Sequence, residues 1–163
     1  MALGDNTKAA ARGNSQRGRN PYMVQAELNM ATALSDKGSA LAASDVIPIM
    51  DIKKGTMILN AGIEVVTATS AGTSTCDLGV TGIDADAFVD GFDSSSSSAA
   101  GTLSQNPAAY QPIMCVADDT LDLLLATQSG TAMTTGKLRI WAVLMDCTDM
   151  GDMAANEVGR DNA

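Results

Sequence analysis

The chain has 163 residues, 45% of them hydrophobic but only 3% aromatic, with no histidine and a formal net charge of −9. That length suits one domain with a sizeable core. The lack of histidine removes the usual neutral-pH general base and the commonest metal ligand. Serine triads, cysteine–histidine pairs and histidine-ligated zinc or iron are thereby excluded within one chain.

Charge divides the chain unevenly. Residues 1–19 carry Lys8, Arg12, Arg17 and Arg19 against Asp5, a charge of +3, which leaves −12 on the rest. A basic arm on an acidic body points to two surfaces with different tasks. An acidic body is also a poor platform for nucleic acid, which needs clustered Lys and Arg. Residues 1–20 are polar and punctuated by Gly and Asn, without the apolar core of a secretory signal, and read as an extended arm. No stretch approaches the roughly 18 uninterrupted apolar residues of a membrane span. The three cysteines, Cys76, Cys115 and Cys147, are far apart and lie in apolar or alternating runs. They read as small buried thiols of a protein folded in a reducing compartment.

From Pro21 the pattern alternates. Tyr22, Val24, Ala26, Leu28 and Met30 share one face of a half-buried strand. Residues 35–44 form a connection with room for one helical turn. A strand over 46–52 contains Pro48, which cannot donate to a ladder, so it is an edge or is interrupted there. After the turn Lys53-Lys54-Gly55, a strand from Thr56 places Met57, Leu59, Ala61, Ile63 and Val65 on one face. Within it Gly62 marks a bulge or a close backbone approach. A further strand covers 75–80, and residues 81–93 read as a turn leading to an irregular or helical segment. The serine-rich run 94–101 reads as a flexible surface loop outside the core. Strands follow at 111–116 and 120–127, then the most hydrophobic one, KLRIWAVLMDC from Lys137. In that strand Leu138, Ile140, Ala142 and Leu144 face one way, while Arg139, Trp141, Val143 and Met145 face the other. Apolar residues on both faces imply a second cover, from a loop, the arm or another subunit. Residues 148–163 read as a C-terminal tail. Seven or so short strands with little helix and no βα alternation spell an antiparallel sandwich or barrel.

Candidate chemistry is sparse. Asp84, Asp86, Asp90 and Asp93 offer the hard oxygens that calcium prefers, but the calcium-loop pattern fails. Position five would be Phe88 and position twelve Ser95. An acidic turn that carries Phe88 and Val89 into the core accounts for the same residues. Asp118, Asp119 and Asp122 fit turn chemistry. As paired glycosidic carboxylates they would want an aromatic-lined cleft, for which the chain has little material. Phosphate-binding glycine loops are absent, and no cofactor is expected.

The runs Lys54-Gly55-Thr56, Ala61–Ala68, Asp77–Gly91 and Trp141–Asp146 together resemble a pattern in small virion structural proteins of tailed bacteriophages. The resemblance spans about residues 22–147. It implies a non-enzymatic capsid decoration (cement) protein: an all-β, jelly-roll-like antiparallel sandwich on the outer shell, commonly a trimer at threefold or quasi-threefold axes. Outside it lie the segments that composition sets apart, so the organisation expected is a basic arm over 1–20, a sandwich body over 21–147 and a tail over 148–163. The implied partners are the major capsid protein and further copies of the chain as a homotrimer, with neither nucleic acid nor membrane. Under that reading Lys8, Arg12, Arg17 and Arg19 contact the shell and Tyr22 anchors the arm. Trp141, Val143 and Met145 line the contact between copies, and folding takes place in the bacterial host cytoplasm. Two other readings stay open: a tail, neck or fibre-base component, and a calcium-dependent carbohydrate-binding sandwich whose ligands would be drawn from Asp84, Asp86 and Asp90.

Overall fold

The computed structural model describes residues 8–9 and 20–147. Its elements in chain order are β1 (Lys8–Ala9), β2 (Tyr22–Asn29), α1 (Met30–Lys37), β3 (Val46–Ile52), β4 (Thr56–Thr67), β5 (Thr73–Val80), β6 (Asp84–Asp93), β7 (Ile113–Met114), β8 (Asp119–Ser129) and β9 (Lys137–Asp146). They form two sheets, ordered β1-β3-β8-β5-β6 and β2-β9-β4-β7. All pairings are antiparallel except that of β1, which runs parallel to β3. The order has a simple logic. Strands β2 and β9, β3 and β8, β4 and β7, and β5 and β6 pair as one nested hairpin, which rolls up so that β4 also meets β9 and β5 meets β8. That is the jelly roll, an all-β sandwich.

The two inner faces make an aliphatic core. Ile47, Met50, Ile52, Cys76, Leu78, Leu121, Leu123 and Leu125 come from one sheet; Ile58, Ile63, Val65, Leu138, Ile140, Ala142 and Leu144 come from the other. Phe88 is the one aromatic side chain sealed in this core, its ring centroid 5.9 Å from that of half-buried Tyr110. Bulges set which residues point inward. In β4 the register slips between Ile58 and Asn60, so Ile58 is buried where plain alternation puts Met57 and Leu59. The slip restores Ala61, Ile63 and Val65 to the core. Pro48 sits beside a comparable slip in β3, whose outer neighbour is only the two-residue β1.

Four segments differ from their sequence reading. The helix occupies Met30–Lys37, earlier than expected, because Asn29 ends β2 and its side chain accepts from the Ala31 amide at 3.0 Å. Met30 and Ala33 then turn inward and plug the sandwich. Residues 84–93, expected to be irregular or helical, form β6. The serine run is ordered and partly buried: Ser94, Ser95 and Ser98 are shielded from solvent. Ser94 Oγ lies 2.9 Å from Cys76 Sγ and donates to Ser74 Oγ at 2.9 Å. The predicted strand over 111–116 shortens to Ile113–Met114.

Candidate protein-binding face

Residues paired across a ladder share a face, so the registers lay out the outer side of the β2-β9-β4-β7 sheet row by row. Met57 pairs with both Met114 and Met145. In the next row Val143 pairs with Met23 and Asn60, and after it Trp141 pairs with Gln25 and Gly62. Arg139 then pairs with Glu27 and Glu64. The face therefore has an apolar half, built from four methionines, Val143 and Trp141, and a charged half. In the charged half Arg139 donates to Glu64 at 2.6 Å and Lys137 to Glu27 at 2.8 Å. The Lys137 ammonium holds the Glu27 carboxyl below its ordinary range.

Trp141 is fixed by an absence. A Cβ on Gly62 would lie 2.6 Å from the indole Cζ2, so the ring occupies the space of the missing side chain. Trp141, Val143 and Met145 all stand on this face and remain half-buried. Met23, beside them, is 63% exposed. Sequence alternation singled out the three β9 residues but missed Met23, Met57 and Met114. Their place beside β9 depends on strand order, which no local pattern encodes. Flexible, polarizable methionine suits a surface that must adapt to a partner.

The other expected site residues are dispersed. Tyr22 opens β2 opposite Leu144, half-buried against the core. Lys8 falls on β1 opposite Met50. Arg12, Arg17 and Arg19 lie outside the described residues. Asp84, Asp86 and Asp90 sit on strand β6 and not on a loop. Asp86 hydrogen-bonds the Asp84 carboxyl and raises its pKa. On β5, Asp77 accepts from the Gly91 amide at 2.7 Å, yet burial first, then repulsion from Asp90 and Asp86, holds its carboxyl above the usual range. Among the described residues no three His, Cys, Asp or Glu side chains converge on a position that could hold a metal ion. Asp122 is occupied by the Thr81 and Thr120 hydroxyls, both at 2.6 Å, and Asp118 by Lys53 at 2.9 Å. Burial pushes the Cys76 thiol up to about 12 and Cys115 to about 11, so both stay protonated and unreactive at neutral pH. Cys147 is half-buried, and no disulfide joins the three.

These features define a jelly-roll sandwich with one adaptable apolar face. No protein-family model matches the chain, and no curated protein does. Solved chains share its fold. One, in the cyanophage Pam1 capsid asymmetric unit, superposes with a TM-score of 0.58 at 13% identity and covers 85% of this chain and 92% of its own. Another, in the capsid of Ralstonia phage GP4, gives a TM-score of 0.52 at 15% identity and covers 80% of this chain and 86% of its own. At such identities the likeness is one of fold.

Proposed function

We propose that the protein is a non-enzymatic structural component of a phage virion. In this reading it is a decoration protein that binds the outside of the capsid shell and stabilises it. The observation that carries the proposal is the extent of the fold match: a jelly roll that accounts for most of this chain also accounts for most of each capsid chain it resembles. Protein surface is the ligand that fits the remaining features. Among the described residues Cys76 and Cys115 are buried, Asp118 and Asp122 are engaged by neighbouring side chains, and the largest special feature is the methionine–tryptophan face.

The partners are the major capsid protein and further copies of the chain. The basic residues Lys8, Arg12, Arg17 and Arg19 meet the shell, Tyr22 holds the arm to the body, and the Trp141, Val143 and Met145 face packs copy against copy as a trimer. Neither nucleic acid nor membrane is a partner. No helix among the described residues is long and apolar enough to cross a bilayer.

Reversing the four arm charges together, with Lys8, Arg12, Arg17 and Arg19 all changed to Glu, leaves residues 20–147 untouched and alters only the two-residue edge strand β1 of the sandwich. Co-sedimentation with shells that lack the protein should show at least a tenfold loss of binding. Wild-type binding should weaken as salt rises, because exposed charges are screened. Undiminished binding by the reversed variant would remove the arm from the interface. Cryo-microscopy of particles supplies the companion measurement. Density at many sites on the head supports decoration, whereas density confined to the tail or neck overturns it.

A further inference from the structure

The two ends of the sandwich are built differently. At one end the chain enters at Tyr22 and leaves after Asp146. Three short turns close the same end, over residues 53–55, 81–83 and 115–118. These turns are laced together. Lys53 and the Lys54 amide both bind Asp118 at 2.9 Å, and Gly55 donates to the Cys115 carbonyl at 2.8 Å. The Cys147 amide donates back to Gly55 at 2.7 Å, and Thr81 ties the second turn to β8 through Asp122. The opposite end carries α1 and the long connections over 68–72, 94–112 and 130–136, rich in Ser and Thr.

Exposed apolar side chains follow this division. Val116 is 75% exposed and Ile83 51%, both on the turns of the end where the chain enters and leaves. Met114 and Met23 are also exposed, in the first rows above those turns. Of the large hydrophobic residues exposed among those described, only Leu103 lies elsewhere, paired with Glu64. Turn tips normally carry Gly, Asn, Asp or Ser, so aliphatic side chains there need a reason. Grouped exposed apolar residues mark contact sites. The 19 residues before Asn20 and the 16 after Cys147 join the body at this same end. A surface held there lies within reach of both, since extended chain spans roughly 3.3 Å per residue.

We propose that the molecule stands end-on upon the shell. Ile83 and Val116 enter apolar pockets of a shell protein, and Lys53 and Lys54 sit at the rim. The polar, loop-rich end points away, and the outer faces of the two sheets stand to the sides. This rests on the shell-binding reading and adds which part of the body makes the contact.

Full-length Ile83→Asp and Val116→Asp are the test variants, with Leu103→Asp as the control of equal chemistry on the other half. All three positions are more than half exposed, so folding should survive; circular dichroism and thermal melts check this. Binding to shells that lack the protein is read by co-sedimentation, and mass in solution by light scattering. The expected result is at least tenfold weaker binding for the Ile83 and Val116 variants, wild-type binding for Leu103→Asp, and unchanged mass for all. Wild-type binding by the Ile83 and Val116 variants overturns the end-on contact while leaving the shell-binding reading intact. A fall in mass, with shell binding kept per copy, assigns these residues to a second copy of the chain and also overturns it. Failure of the wild-type protein itself to bind shells removes both.

Discussion

At the scale of single residues, Gly62 and Trp141 show how a sheet face is shaped by what is left out. Replacing Gly62 by alanine stiffens the unfolded chain, a gain of about 0.5–1 kcal/mol. Against that, the new Cβ would stand 2.6 Å from the indole, and overpacking of this kind costs roughly 1–3 kcal/mol. The clash wins, so Gly62→Ala should lower stability by about 1 kcal/mol in urea unfolding. Trp141 is the only tryptophan, which makes its emission a direct reporter. Displacement of the ring into water should shift emission to the red; an unshifted spectrum with unchanged stability would show that the ring can yield without cost. The sequence allowed two readings of Gly62, a bulge or a close approach. The structure selects the close approach at Gly62 and places the nearby bulge between Ile58 and Asn60. One strand's sequence could not decide this, because the answer lies in the neighbouring strand.

At the scale of elements, β6 and the serine run were the least legible. Four aspartates and a glycine within ten residues read as an irregular or helical segment. They are a strand because slips against β5 let Ala87, Phe88 and Val89 all be buried in succession. Period-two reasoning has no means of anticipating three consecutive buried residues. The serine run stays ordered because Asp93 organises it. Its carboxylate accepts from the Ser95 amide at 2.9 Å and the Ser97 hydroxyl at 3.2 Å, and its own carbonyl accepts from Ser98. Hydrogen bonds from Ser95, then Ser97 and Ser98, hold the Asp93 pKa below its ordinary value. A depressed carboxyl stabilises the fold above the unfolded pKa, and that contribution is lost as pH falls through the folded value. Asp93→Ala should therefore cost about 1 kcal/mol at pH 7, a modest figure because the group is largely exposed. The difference from wild type should close below about pH 4. Paired melts across that range provide the check, and a gap that persists in acid would assign the loss to packing. Asp77 works in the opposite sense. Its raised pKa means stability is present in acid and lost as pH rises through the folded value.

For the whole molecule, the legible parts were those written locally: the all-β class, the strands at 22–29, 46–52 and 137–146, and the two-faced character of β9. Strand order was not, since nested pairing joins Tyr22 to Leu144 across the length of the chain. That order gathers Met23, Met57 and Met114 around Trp141, Val143 and Met145, and so turns a two-faced strand into a surface. If this surface packs copy against copy, its energetics can be probed at Met23, which is 63% exposed and therefore dispensable for folding. Specific interfaces bury on the order of 800 Å² from each partner, with an apolar centre. A carboxylate placed there without a partner costs roughly 3–5 kcal/mol. At about 1.4 kcal/mol per tenfold, Met23→Asp should weaken self-association by at least a hundredfold. Sedimentation at micromolar concentration should then find a monomer with an unchanged melting profile where the wild-type chain assembles. A wild-type chain that is already monomeric at that concentration would shift the pairing of copies onto the shell itself. A Met23→Asp variant that still assembles would place the contact on another face.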